Sequence, residues 1–139
     1  MVMPDYIRIQ KSADLAQGPI HPEDTLAVHQ DRLDWLTQAM AEPWRGQRII
    51  VTHHAPSPAV AGTINGLSPA FASDLDGWIQ QHRPDAWLCG HTHRLLDAVV
   101  HGVPVINVSL GYPDDVEPGQ EAERLLRGLI SDGAIRTGP

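Results

Sequence analysis

Cysteine is almost absent from this sequence. Cys89 stands alone, which excludes an internal disulfide and with it a disulfide-stapled secreted scaffold. Basic residues are also scarce: ten Lys and Arg face seventeen Asp and Glu, for a formal charge of −7. Nucleic acid held by bulk electrostatics needs a basic surface to displace counterions, so that class of partner is not expected. A phosphorylated small molecule is not excluded by the same count, because a bound metal supplies positive charge locally. No apolar run approaches membrane-spanning length, so no membrane association is expected. The segment Met1-Val2-Met3-Pro4-Asp5-Tyr6 lacks a basic region followed by an apolar stretch. No signal peptide is therefore expected, and a cytoplasmic location is the default.

What is present fits one domain over residues 1–139, with a core from about 5 to 113 and a tail from 114 to 139. Tyr6 to Gln10 alternates apolar and polar residues and reads as a short strand. From Pro22, Leu26, His29, Leu33, Leu36 and Met40 recur at helical steps and form one apolar stripe, ended by Pro43 and Gly46. His29 on that stripe reads as a core or boundary residue. Gln47 to Thr52 (Gln-Arg-Ile-Ile-Val-Thr) reads as a β-branched run, the mark of a strand covered on both faces. Ser68-Pro69 reads as the start of a helix carrying Phe71, Leu75, Trp78 and His82 on one face, with His82 closing it before Pro84. Ala86 to Cys89 is a second buried strand, and Cys89 reads as a small buried residue within it. Asp97–Val100 and Val103–Ser109 flank His101-Gly102 and read as a β-hairpin. A short amphipathic stretch follows near Glu121 to Leu129. This order predicts an α/β fold, a mixed β-sheet with flanking helices and a C-terminal hairpin.

Ligands of such sheets collect beyond the carboxyl ends of the strands. Two histidine clusters fall there: Val51-Thr52-His53-His54-Ala55-Pro56 and Gly90-His91-Thr92-His93. In an extended segment His91 and His93 project to the same side, and Gly90 lets the chain bend before them. His53, arriving from the neighbouring strand, completes a three-nitrogen face suited to a transition ion. The bland alternative is that these histidines cap strands and bond to loops. A lone His-x-His is weak evidence; the two clusters together are far more specific.

The paired motifs resemble the last two metal-binding blocks of the calcineurin-like metallophosphoesterases. The likeness extends through Arg48 to Ser57, Asn65, Pro69 to Leu75, Gly90 to His93, Asn107 and Gly111-Tyr112, and covers roughly residues 5 to 113. It implies a partial metallophosphoesterase sandwich, its C-terminal half, and hydrolysis of a phosphate monoester or diester by a metal-activated water. It implies one or two divalent transition ions (Mn, Fe or Zn), held by His53, His91 and His93. His54 would face the substrate phosphate as the catalytic residue. The stretch from Asn107 to Tyr112 departs from the branch's usual Asn-Pro wording, so no role is carried onto it.

The family's first-half motifs, Asp-x-His, Gly-Asp and Gly-Asn-His, do not occur here, and Asn65 and Asn107 are the only asparagines. Three readings stay open. A reduced site borrows a carboxylate, with Asp74 and Asp97 the nearest in sequence; a partner chain completes a dinuclear centre; or the domain is a non-catalytic or mononuclear metal-binding module. Each leaves apolar sheet surface to be covered, so a homodimer or higher oligomer is expected.

Overall fold

A computed structural model describes residues 3–131 and 134–135. By their internal contacts, residues Met1–Trp44 and Arg45–Pro139 form two separate compact units.

In the first unit the N-terminal segment corrects the sequence expectation. Tyr6 to Gln10 is not a strand: residues Asp5–Arg8 form a short helix, α1. Pro4 already holds helical angles (φ −57°, ψ −26°). The amides of Ile7, Arg8 and Ile9 then bond back to the carbonyls of Pro4, Pro4 and Asp5. Pro4 thus presets the first turn, and five alternating residues are too few to oppose it. After a loop closed by Ile20 N–H to the Ile9 carbonyl (2.9 Å), α2 spans Pro22–Ala41. Its start is fixed chemically: Pro22 lacks the amide that a first turn leaves unused, and Asp24 accepts the His21 amide at 2.8 Å. Lys11 pairs with the same Asp24 carboxylate at 2.9 Å. The expected stripe is only partly sheltered. Leu33, Leu36 and Met40 are half-buried, whereas Leu26 and His29 are exposed, so His29 is not a core residue.

The second unit is built on a four-stranded mixed sheet. The strands are β1 (Ile49–Val51), β2 (Ala86–Cys89), β3 (Asp97–Val100) and β4 (Val103–Asn107), in the order β1-β2-β4-β3. β1, β2 and β4 run parallel, and β3 returns antiparallel beside β4. Between β1 and β2 lies helix α3 (Asp76–His82). It is shorter than expected because Ser68–Ala70 forms a separate 3-10 turn, with the Ser68 hydroxyl committed to the Asn65 amide at 2.8 Å. The hairpin turns at His101-Gly102 as expected, both residues at positive φ (49° and 86°). A short helix, α4 (Glu121–Leu126), and the pair β5 (Ile130–Ser131) and β6 (Ala134–Ile135) follow.

The core of this unit is Trp87, Leu88 and Cys89 of β2, Val105 and Ile106 of β4, Ile79 of α3, and Val60. Trp78 of α3 meets Trp87 edge to face at 5.6 Å, so the helix is keyed onto the central strand. Against the expectation of a strand covered on both faces, β1 ends the sheet and only one of its faces is covered: Ile50 is buried, while Val51 is 70% exposed. The mixed α/β architecture matches the partial fold expected from the sequence.

Candidate metal centre

β1 and β2 stop at the same level, and the chain beyond each carries a histidine toward the other. The ladder runs past the strands: Thr52 N–H donates to the Leu88 carbonyl, and Gly90 N–H donates to that of His53, both at 3.0 Å. Two imidazoles from positions 38 residues apart then meet, His53 Nε2 lying 2.8 Å from His91 Nδ1. The His54 ring completes the group, its centroid 5.1 Å from that of His53 and 4.8 Å from that of His91. One ring nitrogen from each of the three lies within 4.8 Å of the others, and all three residues are exposed. Around a single zinc-like ion at about 2.0–2.1 Å, donor nitrogens sit at most roughly 4 Å apart. The trio therefore needs only a small inward shift to share one ion, and three imidazoles suit a divalent transition metal.

The core sets these rings. The Thr52 hydroxyl donates to the His54 carbonyl at 2.7 Å and accepts the indole N–H of buried Trp87 at 2.9 Å. Phe71 stacks on His91 with ring centroids 5.7 Å apart. Asn107, fully buried at the end of β4, donates through Nδ2 to the Val60 carbonyl (3.2 Å) and to Thr92 Oγ1 (2.7 Å). Its Oδ1 accepts the Ser109 amide and hydroxyl. It thereby ties Thr92, between the two motif histidines, to the sheet.

The Gly90–His93 segment does not run extended as the His-x-His reading required. His91 and His93 both occupy the left-handed region, at φ +70° and +54°, and Thr92 N–H bonds to the Gly90 carbonyl. Gly90 itself is not at positive φ, and a Cβ there would meet only ordinary contacts at 3.6 and 3.7 Å. The bend expected of Gly90 is made by the residues after it. A turn sends successive side chains in different directions, so the structure groups His91 with His53 and His54 and leaves His93 outside that trio.

His93 instead faces the C-terminal tail. Its Nδ1 lies 2.9 Å from Asp115 Oδ2, and its ring meets Tyr112 edge-on at 4.6 Å. Asp115 also accepts the Tyr112 amide at 2.8 Å. Gly111, at φ +87°, has to be small, since a Cβ would sit 2.9 Å from this carboxylate. The Tyr112 amide, opposed by partial desolvation and aided by His93, holds the Asp115 carboxyl below its ordinary range. Neither carboxylate considered from sequence joins the trio: Asp97 pairs with Arg127, and Asp74 accepts the Asp76 amide. Asp115 and Phe71 are the neighbours that sequence reasoning missed. Asp115 lies 22 positions beyond His93, in a turn-rich stretch ahead of the amphipathic segment, and Phe71 sits in a segment expected to be helical.

Residues 8–95 match the calcineurin-like phosphoesterase family. The chain is also 30% identical over 118 residues to the uncharacterized protein L509 of Acanthamoeba polyphaga mimivirus. That alignment covers 78% of this chain and 41% of the viral protein, so the chain spans about two fifths of the relative's length. No solved structure matches it. The match takes in more than half of the chain and both histidine motifs that meet beyond β1 and β2; the chain belongs to the calcineurin-like phosphoesterase family.

Proposed function

We propose that this chain carries the histidine side of a metal-dependent phosphoesterase site and hydrolyses a small phosphate monoester or diester. The observation that carries the reading is the convergence of His53, His54 and His91 donor nitrogens within 4.8 Å at the ends of two parallel strands. A divalent transition ion held there would supply positive charge against phosphoryl oxygens and lower the pKa of a bound water. His53 and His91 would hold the ion. His54 adds a third nitrogen, or turns to the substrate to hold a phosphate oxygen or donate a proton to the leaving group. Thr52 keeps His54 in place through its carbonyl, and Phe71 supports the ring of His91. Asp115 engages Nδ1 of His93 and leaves Nε2 as the nitrogen open to substrate or to a second ion.

The test is hydrolysis of a chromogenic phosphodiester and phosphomonoester with added manganese, comparing wild type with His91→Ala. Equal rates in the two proteins reject the assignment. A second reading, a metal-binding module without hydrolytic activity, is favoured by one fact: no carboxylate belongs to the trio among the described residues. Metal bound at one ion per chain without turnover of either ester would establish it. Assembly with another copy belongs to the same proposal. β1 and β3 end the sheet, and Val51 and Val99 on them are 70% and 74% exposed. A strictly monomeric chain in light scattering at high dilution removes that part.

A further inference from the structure

Beside the histidine trio lies an open cavity of about 200 Å³, with His91 as one wall. Thr63, Asn65, Phe71 and Arg94 also line it. Its chemistry runs against that of the whole molecule. The chain has seventeen acidic side chains, yet none lines this cavity. The polar groups that do are weighted toward donation. Asn65 Oδ1 is already taken, accepting the Leu67 amide at 2.8 Å, so the side chain has its amide N–H groups left to offer. Arg94 makes no ion pair among the described residues. Its side chain crosses the face of Gly62, where a Cβ would lie 2.7 Å from Arg94 Cδ and 3.1 Å from Nε. Gly62 stands at φ +84°, so glycine serves twice here, permitting the turn and leaving room for the arginine.

We propose that this cavity is an oxyanion subsite. Arg94, with the Asn65 amide and the Thr63 hydroxyl, receives the phosphate of a small phosphoester presented to His91. The inference deepens the phosphoesterase reading and rests on it for the identity of the anion. A guanidinium binds phosphate through paired N–H groups, and the surrounding neutral donors satisfy the remaining oxygens. The volume falls below the roughly 300–1,000 Å³ usual for drug-sized ligands, which fits a phosphate with a short organic group better than a bulky ester.

The experiment titrates inorganic phosphate into the full chain, once with manganese and once with chelator, by calorimetry, and with chelator also by the Arg94 Nε–H signal in ¹⁵N NMR. Phosphate is expected to bind saturably in both conditions and to shift that signal. Arg94→Gln should weaken binding roughly tenfold or more. Gly62→Ala, which displaces Arg94 without removing its charge, should also weaken it. Arg83→Gln, at the amino end of β2, should match wild type. Equal affinity in wild type and Arg94→Gln overturns the subsite, as does a response reproduced by sodium chloride at matched ionic strength. Phosphate binding through Arg94 in a chain that hydrolyses no ester refutes the phosphoesterase reading and leaves the subsite standing. Hydrolysis with phosphate binding indifferent to Arg94 does the reverse.

Discussion

His53 Nε2 and His91 Nδ1 lie 2.8 Å apart and share a hydrogen bond across the open end of the β1–β2 pair. One ring must be donating to the other, so an ion entering the trio has to take the place of that proton.

Metal affinity should therefore follow the rings individually. The expectation is one tightly bound manganese or zinc ion per chain. His53→Ala and His91→Ala should each weaken it by more than the roughly 10–100-fold that loss of an outer supporting group costs. Thr52→Val, which releases the His54 carbonyl and the Trp87 indole, should fall inside that lower range. Calorimetric metal titration of the four proteins checks the order; Thr52→Val weaker than His91→Ala contradicts it.

Asn107 should matter to stability as much as to the site. Its amide satisfies Val60 and, in a part-buried setting, Thr92, and its carbonyl oxygen satisfies both polar groups of buried Ser109. Asn107→Ala leaves these groups unpaired and should cost about 1–3 kcal/mol. Urea unfolding measures it, and a cost below about 0.5 kcal/mol would show that the network relaxes without this side chain.

How much of this was legible from the sequence depends on how local the cause is. The apolar runs of β1 and β2 and the His101-Gly102 turn were readable because neighbouring residues decide them. So was the meeting of His53 with His91, which follows from parallel strand ends. The helix at Asp5–Arg8 was hidden because alternation over five residues carries less weight than the turn preset by Pro4. The parting of His91 from His93 was hidden for another reason: Asn107, Asp115 and Tyr112, all remote in sequence, hold the loop in a left-handed turn.

Cys89 should be inert in the native protein. Burial pushes its thiol up to about 12 from an ordinary 9.0. The folded state holds that proton more tightly than the unfolded state. Its contribution to stability is then fully present below about pH 9 and is lost as pH rises toward 12. A thiol reagent at pH 8 should label the chain only under denaturant, and prompt labelling of native protein would contradict the buried assignment.

Asp24 gives the opposite pH signature in the first unit. Its bond with Lys11, then the His21 amide, hold its carboxyl below the ordinary 3.8, against slight desolvation. The stabilising contribution is present above that ordinary value and is lost as pH falls through the lower folded value. Acid titration by circular dichroism should show loss of helix in wild type that Asp24→Asn has already suffered at neutral pH. Superimposable titrations of the two proteins would remove Asp24 from the account.

The left-handed backbone at His91 and His93 sets stability and chemistry at odds. An L side chain in that region costs on the order of 1 kcal/mol relative to glycine. Glycine at either position would therefore relieve the backbone while deleting an imidazole. Selection of variants for thermal resistance alone would drift toward erasing the Gly90–His93 turn's histidines, and the best-folding descendants of this chain would be the ones that had lost its chemistry.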